Sequence, residues 1–332
     1  MSIQTRNFAK SVRAAALGAA ALMLVGGQSV VAQDLPDSFS VGTASQGGTY
    51  FVYGNGWTNM VSEALGISGG SEVTGGPVSN AALVQTGDLD FGMVTMGPAR
   101  DALDGKSTLA PGLAHDKIRA IFPMYKTAFH AMTLDSSGIT SIDDIQPGTV
   151  VGVGPEGGTP GTYWPRILEL LGKDVEVRHA GAADLAGQLQ DGLIDVYFWA
   201  AGIPFPAFSQ VEAQADVTYF AFNDEELAQV LATQPVSAFT IPGDTYNELE
   251  SDQSSVAMWN FAIANADLSD DFVYEVVKTV MTNHDRMMQV HKAAAETIPE
   301  NFDKNTFLPW HPGAARWFEE NGFDIPDELI GE

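Results

Sequence analysis

Cysteine is absent from the 332 residues of the chain. Disulfide bonds are therefore excluded, although an exported protein would be free to form them. A bacterial lipoprotein begins its mature chain with a lipidated cysteine, so we also expect no lipid anchor. A chain of this length can bury enough apolar surface to fold without covalent cross-links.

Basic residues are scarce: 16 Lys and Arg stand against 42 Asp and Glu, a formal net charge of −26. Proteins that bind nucleic acid take most of their affinity from a basic surface, so that class is excluded. The acidity by itself indicates solubility and gives no information about a substrate. An anionic ligand would have to be held by local N–H dipoles and a few placed cations, against the field of the whole chain.

Long apolar runs are also missing after the first residues. A basic start at 6–13, an apolar run at 14–25 and a small-residue cleavage site at 30–32 predict a signal peptide over residues 1–32. That run is short for a membrane span, so we expect a mature chain in the periplasm that is not embedded in a membrane. Roughly 300 residues then remain, which fits two domains.

Two glycine-rich loops, at 42–50 and 152–163, each stand between an apolar strand and an amphipathic helix. Glycine allows a backbone to approach a ligand closely, and a helix N-terminus presents unpaired N–H groups at a positive dipole end. Two such loops, one small domain apart, predict two lobes that close on one small acid. Gly54 and Gly56 weaken the helix after the first loop and predict a close packing contact there.

Strand and helix signals alternate along the chain, which predicts an α/β protein whose mostly parallel sheets are covered on both faces. We expect extended crossings between lobes near 126–134 and 235–241. Lobe I then comprises residues 33–132 plus 239–332, and lobe II residues 133–238. The C-terminal part is predicted to be mostly helical, over 268–292 and 312–321.

A dinucleotide fingerprint is the first alternative for the second loop. Gly152 to Gly157 fits G-x-G-x-x-G, and Glu176 follows about twenty residues later. Pro160 and Pro165 crowd the start of the helix, however, and an exported protein meets little free nicotinamide cofactor. We therefore expect no cofactor here, although the N–H groups can still face an anion.

Catalytic and metal-binding patterns are weak elsewhere. His284, Met288 and His291 share a helical face that could bind a soft metal, but such a stripe is more often a packed surface. The acidic pairs 143–144 and 270–271 stand where helices begin and serve as caps. The sequence contains neither a phosphate-binding P-loop nor a G-x-S-x-G elbow. We expect neither a metal site nor an enzyme.

Six segments together resemble the TAXI group of solute-binding proteins of TRAP transporters. They follow in order along nearly the whole mature chain, at residues 42–50, 75–92, 151–162, 195–206, 241–246 and 311–316. The resemblance implies a type II-like, two-lobed periplasmic-binding-protein fold that clamps an organic solute and delivers it to a sodium-coupled permease. Similar proteins bind amino acids, 2-oxo acids or dicarboxylates.

The resemblance also implies which residues bind the ligand and which partners the protein has. Loop N–H groups and hydroxyls would hold a carboxylate, with Trp199 or Phe198 as a wall. The implied ligand-binding residues are Thr43, Ala44, Gly48, Thr49, Tyr50, Asn80, Gly157, Gly158, Thr159 and Trp199. The expected partners are a small organic acid and the TRAP membrane subunits, and the protein is expected to be a monomer.

The chain departs from the family pattern at three places. Pro77 replaces the usual serine, residues 95–97 replace a more polar segment, and an extra proline leaves the second loop open to alignment at 158–159 or at 161–162. These changes favour a less polar acid. Two alternatives stay open: a sensory receptor that docks on a membrane-bound kinase, and an exported enzyme that uses the same cleft.

Overall fold

A computed structural model describes residues 35–331, so the predicted signal peptide lies outside the described residues. The first stretch alternates strands and helices in this order: β1 (Ser38–Gly42), α1 (Thr49–Leu65), β2 (Ser68–Glu72), α2 (Pro77–Thr86), β3 (Phe91–Thr95), α3 (Met96–Leu103) and the long strand β4 (Ile118–Leu134). This alternation follows the sequence prediction.

A second alternating stretch follows, and the chain ends in helices. The strands and helices are β5 (Thr149–Gly152), α4 (Thr159–Leu170), β6 (Val175–Arg178), α5 (Ala182–Gln190), β7 (Val196–Ala201), α6 (Pro206–Glu212), β8 (Val217–Phe220), α7 (Asp224–Thr233), β9 (Ser237–Ile241), β10 (Gln253–Asn265), α8 (Asp270–Met281), α9 (His284–Val290) and α10 (Pro312–Glu320). The 3-10 turns are Asp135–Ser137, Lys292–Glu296, Pro299–Lys304 and Asp327–Leu329.

Within residues 35–331 the strands form one mixed sheet in the order β2-β1-β3-β10-β4-β7-β5-β6, with β8 beside β4 and β9 beside β10. The pairs among β1, β2 and β3 are parallel, as are those among β5, β6 and β7. The long strands β4 and β10 pair antiparallel with their neighbours and with each other. The predicted α/β class is confirmed, while the two parallel regions share one sheet.

The buried side chains form three clusters, which we call the first, second and third cores. The first core contains residues from Phe39 to Tyr125 and from Phe261 to Ile325. The second and third cores lie further along the sheet and draw on residues 128–258. Along β4 and β10 the chain passes from the first core to the other two. The lobe boundaries at residues 132 and 239 stay a prediction; Ile241 belongs to the second core.

Glycines in α1 allow close packing against neighbouring elements. A Cβ at Gly54 would lie 2.6 Å from a methyl carbon of Thr43, and one at Gly56 would overlap Val290 of α9. The helix runs without a break through both glycines, which allow close contact on two of its sides. No described helix combines the length and apolar character that crossing a membrane requires.

Candidate functional site

The two glycine-rich loops border one cleft beside the ends of the parallel strands. Its cavity volume is about 40 Å³. Residues from both sides of the molecule line the cleft: Ala44, Ser45, Gly48, Thr49, Tyr50, Gly75, Gly76, Pro77, Thr95, Thr127, Pro155, Gly158, Thr159, Pro160, Trp199, Ala200 and Ala201. The cleft lies where several parallel strands end, the usual place for a ligand in an open α/β sheet.

Four helices of the described chain begin at this cleft. The residues that precede α1, α2, α3 and α4 are Gly48, Gly76, Thr95 and Gly158, and none of them caps its helix with a side-chain hydrogen bond. The first N–H groups of a helix have no partner within the helix, and its dipole is positive at that end. The four helix starts therefore make the cleft favourable for a negative charge.

Prolines reduce the number of donors at three of the helix starts. Pro77 is the first residue of α2 and Pro160 the second of α4, where a missing N–H costs the helix nothing. The next amide of α2, that of Val78, donates to the carbonyl of Gly157 at 3.0 Å. Pro98 is the third residue of α3, so the start of α1, whose first turn has no proline, keeps the most free donors.

Hydroxyl groups line the floor of the cleft and connect its two sides. The hydroxyls of Thr95 and Thr159 lie 2.6 Å apart. Thr49 donates to the carbonyl of Gly202 at 2.7 Å, and Ser45 accepts from the amide of Ala182 at 3.1 Å. These bonds join the first-core side to the second-core and third-core side and hold the cleft closed.

Tyr50 is part of a buried network behind the cleft. Its hydroxyl donates to Oδ1 of Asn260 at 2.6 Å, and Asn260 in turn donates to the hydroxyl of Thr127 at 2.8 Å. Burial raises the pKa of Tyr50 well above its usual range, so the phenol stays neutral. The network orients Tyr50 and Thr127 at the cleft.

Glycines from two loops meet at the rim of the cleft in a contact that we call the glycine seam: Gly75 and Gly76 against Gly157 and Gly158. A Cβ at Gly76 would lie 3.1 Å from Cα of Gly158, and one at Gly158 would lie 3.2 Å from the carbonyl oxygen of Gly75. Gly76 also has a φ of +109°, which L side chains rarely adopt. The two loops can therefore approach backbone to backbone only because neither carries side chains.

Most of the predicted ligand-binding residues lie together in this cleft: Ala44, Gly48, Thr49, Tyr50, Gly158, Thr159 and Trp199. Thr43 and Asn80 do not line it. Asn80 is fully buried and donates at 2.9 Å to the carbonyls of Thr43 and Met93, while its oxygen accepts from Thr74 at 2.6 Å. The hydroxyl of Thr43 donates to the carbonyl of Glu72 at 2.7 Å. Both residues support the first loop from behind.

The second loop contributes residues 158–159 to the cleft rather than 161–162. Gly161 packs against the backbone of Pro155, and the hydroxyl of Thr162 donates to the carbonyl of Glu156 at 3.2 Å, on the outer side of the loop. Gly157 belongs to the glycine seam and does not line the cavity. The sequence alone left these two alignments open because both pairs have the same residue types.

Trp199 forms the aromatic wall, and Phe198 points to the opposite face of β7. Trp199 stacks on Phe205 at a ring distance of 5.1 Å and an angle of 13°. Phe198 packs against Trp164 in the third core. Alternation along a strand places neighbours on opposite faces, so only one of the two aromatic residues can reach the cleft.

Several lining residues are absent from the sequence-based set. The sequence does contain a signal for three of them, Gly75, Gly76 and Pro77: a Gly-Gly-Pro indicates the start of a helix, because proline favours the first helical turn. Thr127, Ala200 and Ala201 lie within long strands and show no pattern of their own. Their place in the cleft depends on the pairing of β4 with β7, a contact between distant parts of the chain.

Metal-binding groups are missing from the part of the chain that the structure describes: residues 35–331 contain no cluster of three or more His, Asp or Glu side chains that could hold an ion. His291 donates through Nε2 to the carbonyl of Pro204 at 3.0 Å, and His284 donates to that of Thr297 at 3.2 Å. Met288 is partly exposed. The histidines of this stripe thus make separate structural contacts.

Comparison with protein families gives a match over most of the chain. The sequence pattern of the NMT1-like family matches residues 41–322. This range includes all strands but the first residues of β1, and all of the residues that line the cleft.

Solved structures of binding proteins are similar in fold. MatC from Rhodopseudomonas palustris, solved with malate bound, is 13% identical; the match covers 86% of this chain and 99% of that one, with a TM-score of 0.55. The periplasmic binding protein BugD is 13% identical; the match covers 88% of this chain and 99% of that one, with a TM-score of 0.55. A binding-protein component of a phosphonate ABC transporter from Pseudomonas aeruginosa is 10% identical; the match covers 87% of this chain and 96% of that one, with a TM-score of 0.50. The likeness confirms the predicted two-lobed binding-protein fold.

Proposed function

The chain belongs to the NMT1-like family, and from this premise we propose that it is a periplasmic solute receptor, not an enzyme, that clamps a small organic acid between two lobes. The observation that carries this proposal is the convergence of the four helix starts on one cleft. Backbone N–H groups at helix N-termini are a common means of binding carboxylate or phosphate.

Closure of the cleft would couple binding to a change of shape. The starts of α1, α2 and α3 lie on the first-core side, whereas the start of α4 and the end of β7 lie on the other. A carboxylate held by both sides binds the closed state more tightly than the open one and so shifts the population toward closure. The long strands β4 and β10 connect the sides and would flex as a hinge.

The proposed partner of the closed form is a TRAP-type membrane permease. The support for this partner is the resemblance of six ordered segments, which includes the loops at the cleft. In this scheme residues 1–32 direct export and are removed, and the mature receptor diffuses between its ligand and the permease. The sensory receptor remains the alternative, since it would use the same cleft.

A thermal-shift screen tests the receptor function. Mature protein is unfolded and refolded to remove any bound solute, then mixed with panels of carboxylic acids, amines and neutral sugars. At about one hundred times Kd a ligand should stabilise the protein by about 2.7 kcal/mol, which gives a clear rise in Tm. We expect a rise with carboxylic acids only. Stabilisation by sugars or amines alone would contradict the proposal.

A further inference from the structure

We propose that the receptor selects short monocarboxylates of two to four carbons and excludes dicarboxylates and amino acids. This inference rests on the proposed function and specifies its substrate class. Three observations carry it: the absence of charge in the cleft, its small volume and the arrangement of its apolar walls.

The lining of the cleft is electrically neutral. Among its residues, all from the described part of the chain, there is no Lys, Arg, His, Asp or Glu. The helix starts meet in one small space, so they can neutralise one carboxylate. A second carboxylate would be buried without a cation, and an ammonium group without an acid, and an unpaired buried charge is strongly unfavourable.

The size of the closed cleft limits the length of the ligand. Its volume of about 40 Å³ is far below the roughly 300–1,000 Å³ of pockets that take drug-sized ligands. The rim is closed by the glycine seam, where backbones are already in contact, and the wall is fixed because Trp199 stacks on Phe205 and packs against Gly154. The small cleft therefore favours a short ligand over one that carries a second charged group several carbons away.

Apolar side chains provide a place for a short hydrocarbon tail. Three prolines and three alanines line the cleft beside Trp199, and the alanines fall on the first loop and on the end of β7: Pro77, Pro155, Pro160, Ala44, Ala200 and Ala201. Burial of a methyl or ethyl group against such surfaces is favoured, whereas a polar tail would lose its hydration. The walls thus favour an acid with an apolar end.

Calorimetric titration of the refolded mature protein tests this substrate class. The probes are acetate, propanoate, pyruvate and butanoate, compared with succinate, 2-oxoglutarate, alanine and glutamate. We expect at least tenfold lower Kd for the best short monocarboxylate than for any diacid or amino acid. Equal or tighter binding of a diacid or amino acid overturns the inference and leaves the receptor function intact. Binding of none of the acids overturns both.

A substitution in the wall gives a second, independent test. Ala201→Val adds two methyl groups to the cleft at the end of β7, so butanoate should lose at least fivefold more affinity than acetate. Ala238→Val, on an exposed position of β9, is the matched control and should leave both affinities unchanged. Equal losses for both acids in Ala201→Val would overturn the placement of the tail against this wall.

Discussion

In the proposed receptor, single hydroxyl groups on the floor of the cleft should determine how tightly a carboxylate is held. Thr159 lines the cavity and Thr162, one turn later in α4, does not. Thr159→Val removes a hydroxyl and keeps the shape, so we expect Kd for the acid to rise about tenfold to a hundredfold, the effect of losing one hydrogen bond to a charged group. The backbone N–H groups remain, so binding should be weakened and not abolished.

The matched control for this prediction is Thr162→Val. It loses a hydrogen bond to the carbonyl of Glu156 on the outer side of the loop, and its Kd should stay within about threefold of wild type. Titration calorimetry of both variants makes the comparison. If both variants lose affinity equally, the floor of the cleft does not contact the ligand.

Asn80 shows how a residue can support a binding loop from behind. Asn80→Ala removes the side-chain donor to the buried carbonyl of Met93 and one of the two side-chain donors to that of Thr43, which keeps the hydroxyl of Thr74. We therefore expect the free energy of unfolding to fall by about 1–3 kcal/mol. Urea denaturation measures this loss. Kd of the folded variant should change less than threefold, because the side chain does not line the cleft. A large rise in Kd with unchanged stability would instead place Asn80 against the ligand.

At the scale of loops and helices, we expect the glycine seam to control the proposed closure. Gly158 has an extended backbone that valine accepts, yet a Cβ there would meet carbonyl oxygens of Gly75 and Pro155 at 3.2 Å. Gly158→Val should therefore fold normally, fail to close and lose at least a hundredfold in affinity. Gly187→Ala in α5, where a Cβ meets nothing within 4 Å, should bind like wild type. Wild-type affinity in a folded Gly158→Val variant would contradict this role.

Local patterns in the sequence predict most of the strands and helices, and they fail where distant segments decide. The turn from β1 to α1 and the loop before α4 are readable because glycine, helix spacing and proline act within a few residues. The expected helix over 268–292 divides into α8 and α9 at Asn283, whose φ of −120° is not helical. There α9 turns to pack Val290 against Gly56, a contact that the local sequence does not reveal.

The sequence predicts the residues on the floor of the candidate site but not those that form its walls. Gly48, Thr49, Gly158 and Thr159 are readable because helix starts follow glycine loops. Thr127 reaches the cleft through the pairing of β4 with β7 and β10, and that register is set by contacts more than fifty residues apart. Amphipathic periodicity carries no information about such pairing, so the sequence predicts the anion-binding groups better than the surfaces that select among anions.

At the scale of the whole molecule, buried histidines predict a pH dependence of stability. Burial lowers the pKa of His130 and of His311 from 6.5 to about 4. Above pH 6.5 these two histidines are neutral in both the folded and the unfolded protein. Below pH 6.5 they bind protons in the unfolded chain but not in the folded protein. The free energy of unfolding should therefore fall by up to about 1.4 kcal/mol per pH unit for each histidine between pH 6.5 and 4.

Urea denaturation at pH 7.0, 6.0 and 5.0 measures this effect. Burial raises the pKa of Asp101 and of Glu226, and a carboxyl group with a raised pKa increases the free energy of unfolding as the pH falls. The comparison therefore ends at pH 5, before these groups offset the histidines. Burial also lowers the pKa of His291, which adds to the fall. His130→Gln keeps a donor and an acceptor and should reduce the slope. Stability that is constant from pH 7 to pH 5 would show that these histidines are not held neutral.

Closure of the whole molecule should be visible in its dimensions. A ligand that binds both sides of the cleft shifts the population toward the closed state, so the radius of gyration from small-angle scattering should fall when a saturating acid is added. The Gly158→Val variant should keep the larger radius with or without acid. An identical radius for wild type in both conditions would contradict the clamp.

The four helix starts have a consequence for how this protein can be redesigned and how its site can be found. In the proposed receptor the groups that bind the charge belong to the main chain, and no side-chain replacement deletes a peptide N–H except a change to proline. An alanine scan would therefore leave the backbone N–H groups in place. It would change the affinity only at residues whose side chains form the walls of the cleft. Conversely, libraries that vary the walls alone could retarget the protein to other acids while retaining the anchor for the carboxylate.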